Sequence, residues 1–171
     1  NSSTTLETLI PDFQGNKRNI DRIIAVAPEV VSHNVETVRR LTRKVRVQAK
    51  YDVSLDVLKY IKKQGIRRTK SGIMLGLGET QEEVFETLDH LRQVDVDVVT
   101  IGQYLQPSPK HYALNRYYTP EEFNELKNIA ISKGFLLVSS SPLTRSSYHA
   151  DEDFEILKKI RMSGNNATSL S

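Results

Sequence analysis

The sequence predicts an α/β protein built from parallel βα units, and two observations support this fold class. Apolar segments typical of strands alternate with amphipathic segments typical of helices, at a spacing of roughly 25 to 35 residues per unit. Polar or glycine-rich residues directly follow four of the strand candidates. Because the carboxyl ends of parallel strands meet at one edge, the sequence predicts a functional site at that edge.

The first two elements are a strand and a capped helix. Leu6 to Ile10 predicts a buried strand that ends at Pro11. Asn16 predicts a helix start, because its side chain can accept a hydrogen bond from a first-turn N–H. Pro28 stops this helix, whose apolar positions share one face: Ile20, Ile23 and Ile24. Because a core strand with no lead-in rarely opens a domain, the chain is expected to be part of a longer protein.

The second strand is short and is followed by two helices. Val30 to Asn34 is the strand candidate, and a basic helix is predicted from about Thr37 to Lys44. A further helix is predicted to start at Ser54, because apolar residues follow it at helical spacing. Gly65 ends that helix, since glycine readily adopts the left-handed conformation found just after helices.

The third strand, Ser71 to Leu75, breaks into glycines and then enters a helix. That helix is predicted to start at about Gln81, and its apolar face consists of Val84, Phe85, Leu88 and Leu91. The fourth strand covers residues 98–101 and is predicted to continue to Pro107.

The last helix and strand have the clearest local signals. Thr119, Pro120 and Glu122 supply an N-cap, a first-turn proline and a capping-box glutamate. Phe123, Leu126 and Ile129 form the predicted core face of this helix. Residues 135–138 are the last strand candidate.

Candidate site residues follow four strands and are expected to converge on one face of the protein. They are Asp12, residues 33–36, residues 76–79 and residues 103–108. Gly72, Gly76 and Gly78 would let a ligand approach the backbone, although such a turn often serves only tight packing. Asn34 and Glu36 can equally be turn and helix-start residues.

Composition excludes several classes of function. The 24 basic and 21 acidic side chains give a net charge of +3, too small for nucleic-acid binding by charge alone. No apolar run approaches the ~18 residues that a membrane-spanning helix needs. The absence of cysteine excludes disulfides and thiolate metal sites within this sequence. Neither nucleic acid nor a membrane is therefore expected as a partner.

Two charged or glycine-rich motifs have more than one interpretation. The glycine turn matches neither the P-loop pattern nor the dinucleotide-binding fingerprint, so it is no phosphate-binding signature. The basic run at 39–46 is typical of a solvated helix face, and a surface for an acidic partner is the alternative. The four histidines show no ligand spacing.

Four segments together resemble a known family. They are residues 33–37, 69–80, 100–108 and 145–150. In this combination they are similar to lipoyl synthases, which are radical S-adenosylmethionine (SAM) enzymes, and the similarity runs almost continuously from Leu6 to about Ala150. The resemblance implies a partial TIM-type (βα)6 barrel, of which this chain holds the later strands and helices.

The resemblance also implies a SAM site. Asn34 and Glu36 would hydrogen-bond the ribose, since an amide and a carboxylate suit vicinal hydroxyls. Arg46 would pair with the methionyl carboxylate of SAM. The remaining contacts would lie beside the adenine, and they are Gly72, Met74, Gly76, Glu79, Tyr104, Leu105, Gln106 and Pro107.

The segment Arg145 to Tyr148 matches a motif that is the family's own. It implies that Ser146 or Ser147 is the fourth ligand of an auxiliary [4Fe–4S] cluster that donates sulfur, and the sequence leaves open which serine. A hard oxygen ligand on a soft-ligand cluster suits an iron that must be released. Arg145 and Tyr148 would support the motif.

The lack of cysteine conflicts with this family, which needs Cys-x-x-x-Cys-x-x-Cys for its SAM-cleaving [4Fe–4S] cluster and a second cysteine triad for the auxiliary one. The chain is therefore expected to be a fragment that is inactive by itself; a degenerate relative is the alternative. Arg39 and Val47 stand where the family commonly has proline. Residues 1–150 would form the barrel part, and residues 151–171 a short surface helix and a disordered tail.

The implied activity is sulfur insertion at C6 and C8 of a protein-bound octanoyl chain. Partners would be octanoylated lipoyl carrier domains or the glycine cleavage H protein, and an electron donor such as flavodoxin or ferredoxin. Because carrier domains are commonly acidic, a docking face is predicted at Arg39, Arg40, Arg43 and Lys44.

The implied location is the cytoplasm, or the mitochondrion or plastid in a eukaryote. Two other functions stay open. One is a different radical SAM enzyme that acts on a small molecule, and the other is a non-catalytic βα scaffold or binding module.

Overall fold

The computed structural model describes residues 5–145 of the chain. Within this range lie five strands, five α-helices and a short 3-10 helix at Phe13–Gly15. In chain order they are β1 (Glu7–Leu9), α1 (Lys17–Ile24), β2 (Val30–Ser32), α2 (Arg39–Val45), α3 (Tyr51–Lys63), β3 (Arg68–Leu75), α4 (Gln81–Gln93), β4 (Val98–Gln103), α5 (Pro120–Ser132) and β5 (Leu137–Ser140).

The strands form one parallel sheet in the order β1-β2-β3-β4-β5, which is also their order along the chain. Right-handed crossovers between successive neighbours place the connecting helices on the same side of the sheet. The predicted parallel βα architecture is therefore confirmed. All carboxyl ends of the strands lie at one edge.

One face of the sheet carries the hydrophobic core. Ile73 and Leu75 of β3, with Val99 and Ile101 of β4, pack in one buried cluster with apolar residues of the helices. The helix residues in this cluster include Leu41, Leu58, Leu88, Leu91, Phe123 and Leu126. A smaller cluster joins α1 and α3 through Ile20 and Ile61. These contacts fix the helices on the outer face.

The inner face has a different character. Lys70, Gly72 and Met74 of β3 lie on it, in register with Val98, Thr100 and Gly102 of β4. Towards the amino-terminal edge, the ammonium of Lys70 lies 3.0 Å from Glu7 Oε1, and Ser32 Oγ donates to the same oxygen. Towards the carboxyl edge, two glycines leave the face without side chains.

Most helix boundaries follow the predicted signals. Asn16 caps α1 by accepting a hydrogen bond from the Arg18 N–H. Thr119 and Glu122 form the predicted capping box of α5. An equivalent box, not predicted, joins Thr80 and Glu83 at the start of α4. Such reciprocal bonds satisfy backbone N–H groups that the helix leaves unpaired.

The predicted boundaries of one helix and one strand are wrong. Helix α3 begins at Tyr51 rather than Ser54. Its N-cap residue, Lys50, forms no side-chain capping bond, so the sequence contains no capping signal for this start. Strand β5 covers Leu137–Ser140 rather than residues 135–138. The Phe135 N–H donates to Ala130 O at the end of α5, so this residue completes the helix end.

Two predictions about strands also need correction. Strand β4 ends at Gln103 and does not continue to Pro107. Strand β1 is not buried as predicted, since Leu9 is 56% exposed. In the described part of the chain, β1 pairs with β2 alone, so it is an edge strand of the sheet.

Three further predictions concern the C-terminal segment, membrane-spanning helices and metal sites. Residues 151–171, predicted as a surface helix and a tail, lie outside the described residues. None of the helices within residues 5–145 is long and apolar enough to cross a membrane. The same residues bring together no group of three or more His, Cys, Asp or Glu side chains that could hold a metal ion.

Candidate functional site

A cavity of about 450 Å³ lies against the inner face of the sheet at its carboxyl edge. Residues from all five strands or the segments after them line it. The lining consists of Leu9, Asn34, Glu36, Gly72, Ile73, Met74, Thr100, Gly102, Gln103, Tyr104, Leu105, Pro107, Thr144 and Arg145.

Gly72 and Gly102 leave the back wall of the cavity without side chains. A Cβ on Gly72 would lie 2.6 Å from Thr100 Oγ1 and 3.0 Å from Asn34 Oδ1. A Cβ on Gly102 would lie 2.5 Å from the carbonyl oxygen of Thr144. Both contacts are too close for real Cβ atoms, so neither position can accept a side chain without movement of its neighbours.

Asn34 and Glu36 follow β2 and reach this wall from one side. The Glu36 N–H donates to Gly72 O (3.0 Å), and the Met74 N–H donates to Glu36 O (2.8 Å). These two bonds hold Glu36 at φ 66°, a left-handed conformation that is costly for residues other than glycine. Strain of this kind is typical of functional positions.

The polar atoms of these two residues are poised for a ligand. Asn34 Oδ1 is buried and has no hydrogen-bond partner among residues 5–145. Burial raises the pKa of the Glu36 carboxyl above its usual value, while Arg46 and a hydrogen bond from Asn34 act in the opposite direction. Buried polar atoms are normally paired, so a missing partner at a cavity wall points to a ligand.

Arg46 lies behind this site rather than in it. Its guanidinium donates to the carbonyl oxygen of Asn34 at 3.3 Å. Arg46 lines a separate surface depression, together with Asp12 and residues 47–49. Asp12 itself accepts a hydrogen bond from the Gln14 N–H and caps the 3-10 helix. Arg46 thus supports the Asn34 backbone and the charge of Glu36, and its predicted pairing with SAM stays a prediction.

Gly76 and Glu79, predicted beside the adenine, are not among the residues that line the cavity. The carboxylate of Glu79 accepts hydrogen bonds from the N–H groups of Gly76 (2.7 Å) and Leu77 (2.9 Å). It therefore closes its own turn. Burial, together with Glu79, also raises the pKa of the neighbouring Tyr118 to about 12.

The segment after β4 supplies a third wall. Tyr104, Leu105 and Pro107 line the cavity, whereas the predicted Gln106 does not. The amide of Gln106 instead donates to the carbonyl oxygens of Ser108 (3.1 Å) and His111 (3.2 Å). This segment therefore contains both cavity-facing residues and a residue that bonds only to its own loop.

Of the motif Arg145 to Tyr148, only Arg145 lies within the described residues. Arg145 lines the cavity, and its guanidinium donates to Thr144 O at 2.7 Å. Ser146, Ser147 and Tyr148 lie outside the described residues. The two serines as cluster ligands and Tyr148 as motif support therefore stay predictions.

Of the four residues in the predicted docking face, two form ion pairs and two are exposed without an ion pair among residues 5–145. Arg39 pairs with Asp52 at 2.5 Å, and Arg40 forms a two-bond pair with Glu83 and also donates to Gly78 O. Arg43 and Lys44 are exposed and form no ion pair with any residue in the range 5–145. Arg39 and Arg40 thus have structural partners that the basic run did not reveal.

Thr100, Gly102 and Thr144 belong to the cavity but were not singled out from the sequence. In the sequence Thr100 and Gly102 alternate with the apolar Val99 and Ile101, so the period-two pattern of a strand could have revealed them. Thr144 follows β5 in an irregular segment, where no such pattern exists. The cavity wall as a whole combines polar side chains, such as Asn34 and Glu36, with the apolar Leu105 and Pro107.

Comparison with known proteins shows which family this chain belongs to. Residues 2–91 match the family model described as the radical SAM superfamily. Over 152 residues the chain is 68% identical to lipoyl synthase of Christiangramia forsetii and 65% identical to mitochondrial lipoyl synthase of Nematostella vectensis. Each alignment covers 89% of this chain and 52% of the relative. The chain thus spans about half the length of these relatives.

Solved structures share the fold at low sequence identity. The crystal structure of methylornithine synthase aligns with a TM-score of 0.61 and 15% identity, over 94% of this chain and 58% of that one. Hydroxymethylglutaryl-CoA lyase from Pseudomonas aeruginosa aligns with a TM-score of 0.55 and 14% identity, over 80% and 44% of the two chains. At such identities the likeness concerns the fold alone, and the five-stranded sheet is part of a TIM-type barrel.

Proposed function

The chain belongs to the radical SAM superfamily, and we propose that it is the SAM-binding part of a lipoyl synthase. The observation that carries this proposal is the identity of 68% over 152 residues to a protein of that name. The position of Asn34, Glu36 and Gly72 at one cavity supports it, because the sequence motifs predict a SAM site that includes the same three residues.

The cavity fits the nucleoside part of SAM. The unpaired Asn34 Oδ1 and the carboxylate of Glu36 can accept hydrogen bonds from the two ribose hydroxyls. Gly72 lets the side chains of Thr100 and Asn34 pack close to its backbone in the cavity wall, and the apolar side chains of Leu105 and Pro107 offer a surface for the adenine. Arg46 holds the Asn34 backbone, and its pairing with the methionyl carboxylate stays a prediction.

The residues present do not fit the iron–sulfur clusters. Cluster ligation in this superfamily depends on thiolates, and the sequence contains no cysteine. Ser146 or Ser147 could add at most one oxygen ligand. The cavity-lining Arg145 supports a location of this motif near the SAM site. We therefore derive no reaction step through a cluster from this chain.

For the whole protein we propose sulfur insertion at C6 and C8 of an octanoyl chain carried by a lipoyl domain or the glycine cleavage H protein. Bound SAM, with an electron from a donor such as flavodoxin or ferredoxin, would supply the radical that removes hydrogen from the chain. The cavity-lining residues orient the nucleoside and exclude water around it. Relatives named as bacterial and mitochondrial proteins support a cytoplasmic or organellar location.

The experiment uses the complete protein that contains this chain, reconstituted anaerobically with iron and sulfide. It is incubated with SAM, a reductant and an octanoylated carrier domain, and the carrier is analysed by mass spectrometry. We expect a product that contains two added sulfur atoms. SAM cleavage without sulfur insertion would favour a different radical SAM enzyme, and no cleavage would favour a non-catalytic βα module.

A further inference from the structure

Residues 104–119 connect β4 to α5 without a helix or strand, and we refer to them as the strap. Connections longer than about 12 to 15 residues without secondary structure are uncommon and usually functional. The first residues of the strap, Tyr104, Leu105 and Pro107, line the candidate site. What fixes the strap therefore fixes that wall.

The side chain of Gln103, the last residue of β4, binds both ends of the strap. Its amide nitrogen donates to Tyr104 O at 3.0 Å and Arg116 O at 3.2 Å. Its amide oxygen accepts from the Tyr118 N–H at 2.9 Å. The side chain is buried, with 3% of the residue exposed.

The same amide also binds the neighbouring strand. Gln103 Nε2 lies 3.0 Å from Leu75 O at the end of β3. One side chain thus joins the ends of two strands to the beginning and the end of the strap. The bond to Tyr104 O orients the peptide group between Tyr104 and Leu105, which stands in the cavity wall.

Gly76 makes room for this amide. A Cβ on Gly76 would lie 2.4 Å from Gln103 Nε2 and 2.5 Å from Arg116 O. The Gly76 carbonyl also accepts from the Asn115 N–H at 2.8 Å, and the residue has a φ of 103°. The missing side chain at this position serves the Gln103 contacts and not the space for a ligand.

Other contacts hold the strap independently of Gln103. The Tyr104 hydroxyl donates to Tyr112 O at 2.7 Å. Arg116 pairs with Glu122 through two bonds of 3.0 and 2.8 Å. The Tyr104 N–H also donates to Leu75 O at 2.8 Å. The strap can therefore remain attached to the barrel when Gln103 is changed, while the Tyr104 carbonyl, and with it the peptide group between Tyr104 and Leu105, loses its partner.

We infer that Gln103 is a positioning residue, whose amide sets the adenine-side wall of the nucleoside site by holding both ends of the strap. This inference rests on the proposed function, because it takes the ligand of the cavity to be the nucleoside of SAM. Gln103 also lines the cavity, but both polar atoms of its side chain bond within the protein, so its amide acts through Tyr104 and Leu105.

The test uses Gln103→Leu and Gln103→Glu in the complete protein. The leucine removes the amide, whose two N–H groups are shared among three carbonyl oxygens, and the glutamate keeps the shape but sets a carboxylate against these oxygens. Binding of S-adenosylhomocysteine is measured by calorimetry, and exchange of the Tyr118 amide by hydrogen–deuterium exchange. Steady-state formation of 5′-deoxyadenosine gives KM and kcat for SAM.

We expect both variants to weaken S-adenosylhomocysteine binding and to raise the KM for SAM by about tenfold, as for the loss of one or two hydrogen bonds. The kcat at saturating SAM should stay within about twofold of wild type, because a positioning defect is overcome once the ligand is bound. The Tyr118 amide should exchange faster in Gln103→Leu. A role limited to folding would lower kcat and the folded fraction without this split.

Two results would overturn the inference. One is unchanged ligand binding while the Tyr118 amide exchanges faster, and the other is unchanged protection of that amide in Gln103→Leu. If Gln103→Leu does not fold, Gln103→Glu is the test. Unchanged binding of S-adenosylhomocysteine by Gln103→Glu would then overturn the inference.

Gln64→Leu is the matched control, since this amide is exposed at the end of α3 and should leave binding and exchange unaltered. A wild-type protein that does not bind S-adenosylhomocysteine would contradict the proposed function instead. Amide exchange at Tyr118 would then still report whether Gln103 holds the strap.

Discussion

At the scale of single residues, Glu36 combines features that destabilise the folded protein with features that suit ligand binding. Its backbone is held in a left-handed conformation and its carboxyl is buried beside Asn34. Both features cost stability, although the Glu36 backbone also forms a bridge to Ile73 of β3. A buried carboxylate with unpaired acceptor capacity is useful where a ligand brings hydroxyl groups to it.

Glu36→Gln should therefore separate stability from binding. Burial raises the pKa of Glu36 in the folded protein, so the folded state holds this proton more tightly than the unfolded state. The folded state is consequently favoured below the unfolded-state pKa, and that stability is lost as pH rises through the folded pKa. At pH 7 the neutral glutamine should raise the melting temperature slightly.

The same variant should weaken S-adenosylhomocysteine binding in the complete protein by about 2 kcal/mol, or roughly thirtyfold, because a charged acceptor is lost. Differential scanning calorimetry and titration calorimetry measure the two effects. Glu82→Gln, an exposed carboxyl on α4, is the control. A lower melting temperature with unchanged binding would contradict the assignment of Glu36.

Gly72→Ala tests the back wall of the cavity. The new Cβ would lie 2.6 Å from Thr100 Oγ1 and 3.0 Å from Asn34 Oδ1, so we expect a loss of about 1 to 3 kcal/mol in stability and weaker ligand binding. Adding Thr100→Ala removes the closer contact and should recover part of the stability measured by urea unfolding. No recovery in the double variant would show that the close contact with Thr100 is not the cause.

The sequence predicted which residues line the cavity when they lie in a strand or directly after its end. It predicted the orientation of side chains in turns less well. Asn34, Glu36, Gly72, Met74 and Leu105 do line one cavity. A sequence pattern could not show that Glu79 turns back onto its own backbone, since both orientations are compatible with the same glycine turn.

At the scale of elements, α2 and the segment after it are tied to α4 and to a residue of the cavity wall. Arg40 ties α2 to Glu83 of α4 and to Gly78 O, and Arg46 ties its end to Asn34 O. Arg43 and Lys44 are left exposed on the same short helix. If an acidic carrier docks near the cavity, these two residues are the available cations on α2.

The charge reversal Arg43→Glu with Lys44→Glu should raise the KM for the carrier domain by about tenfold at low salt and by less at high salt, because exposed charges are screened. The kcat should change little. Lys59→Glu with Lys63→Glu on α3 is the matched control, since both side chains are exposed on a different helix. An unchanged carrier KM in the α2 variant would contradict the docking face.

Arg39 and Arg40 are unsuitable for this test, although the sequence grouped them with Arg43 and Lys44. Their reversal would place like charges against Asp52 and Glu83, so an effect on KM could arise from a displaced helix. Ion pairs between residues distant in sequence cannot be predicted from a charge run, which is why the structure divides this group.

At the scale of the whole molecule, the consecutive order of parallel strands decides where chemistry can occur. Helices cover the outer face, so the inner face and the carboxyl edge remain for a ligand. The alternation of strands and helices was enough to predict this arrangement. The uncapped start of α3 and the exposed β1 were not predictable, because they depend on tertiary packing and on neighbours of the sheet edge.

The most direct measurement is a crystal structure of the complete protein with S-adenosylhomocysteine or SAM bound. We predict that the ribose hydroxyls lie within hydrogen-bond distance of Asn34 Oδ1 and the Glu36 carboxylate, with the adenine against Leu105 and Pro107. A nucleoside bound elsewhere, or bound in this cavity without contact to Asn34 and Glu36, would contradict the account.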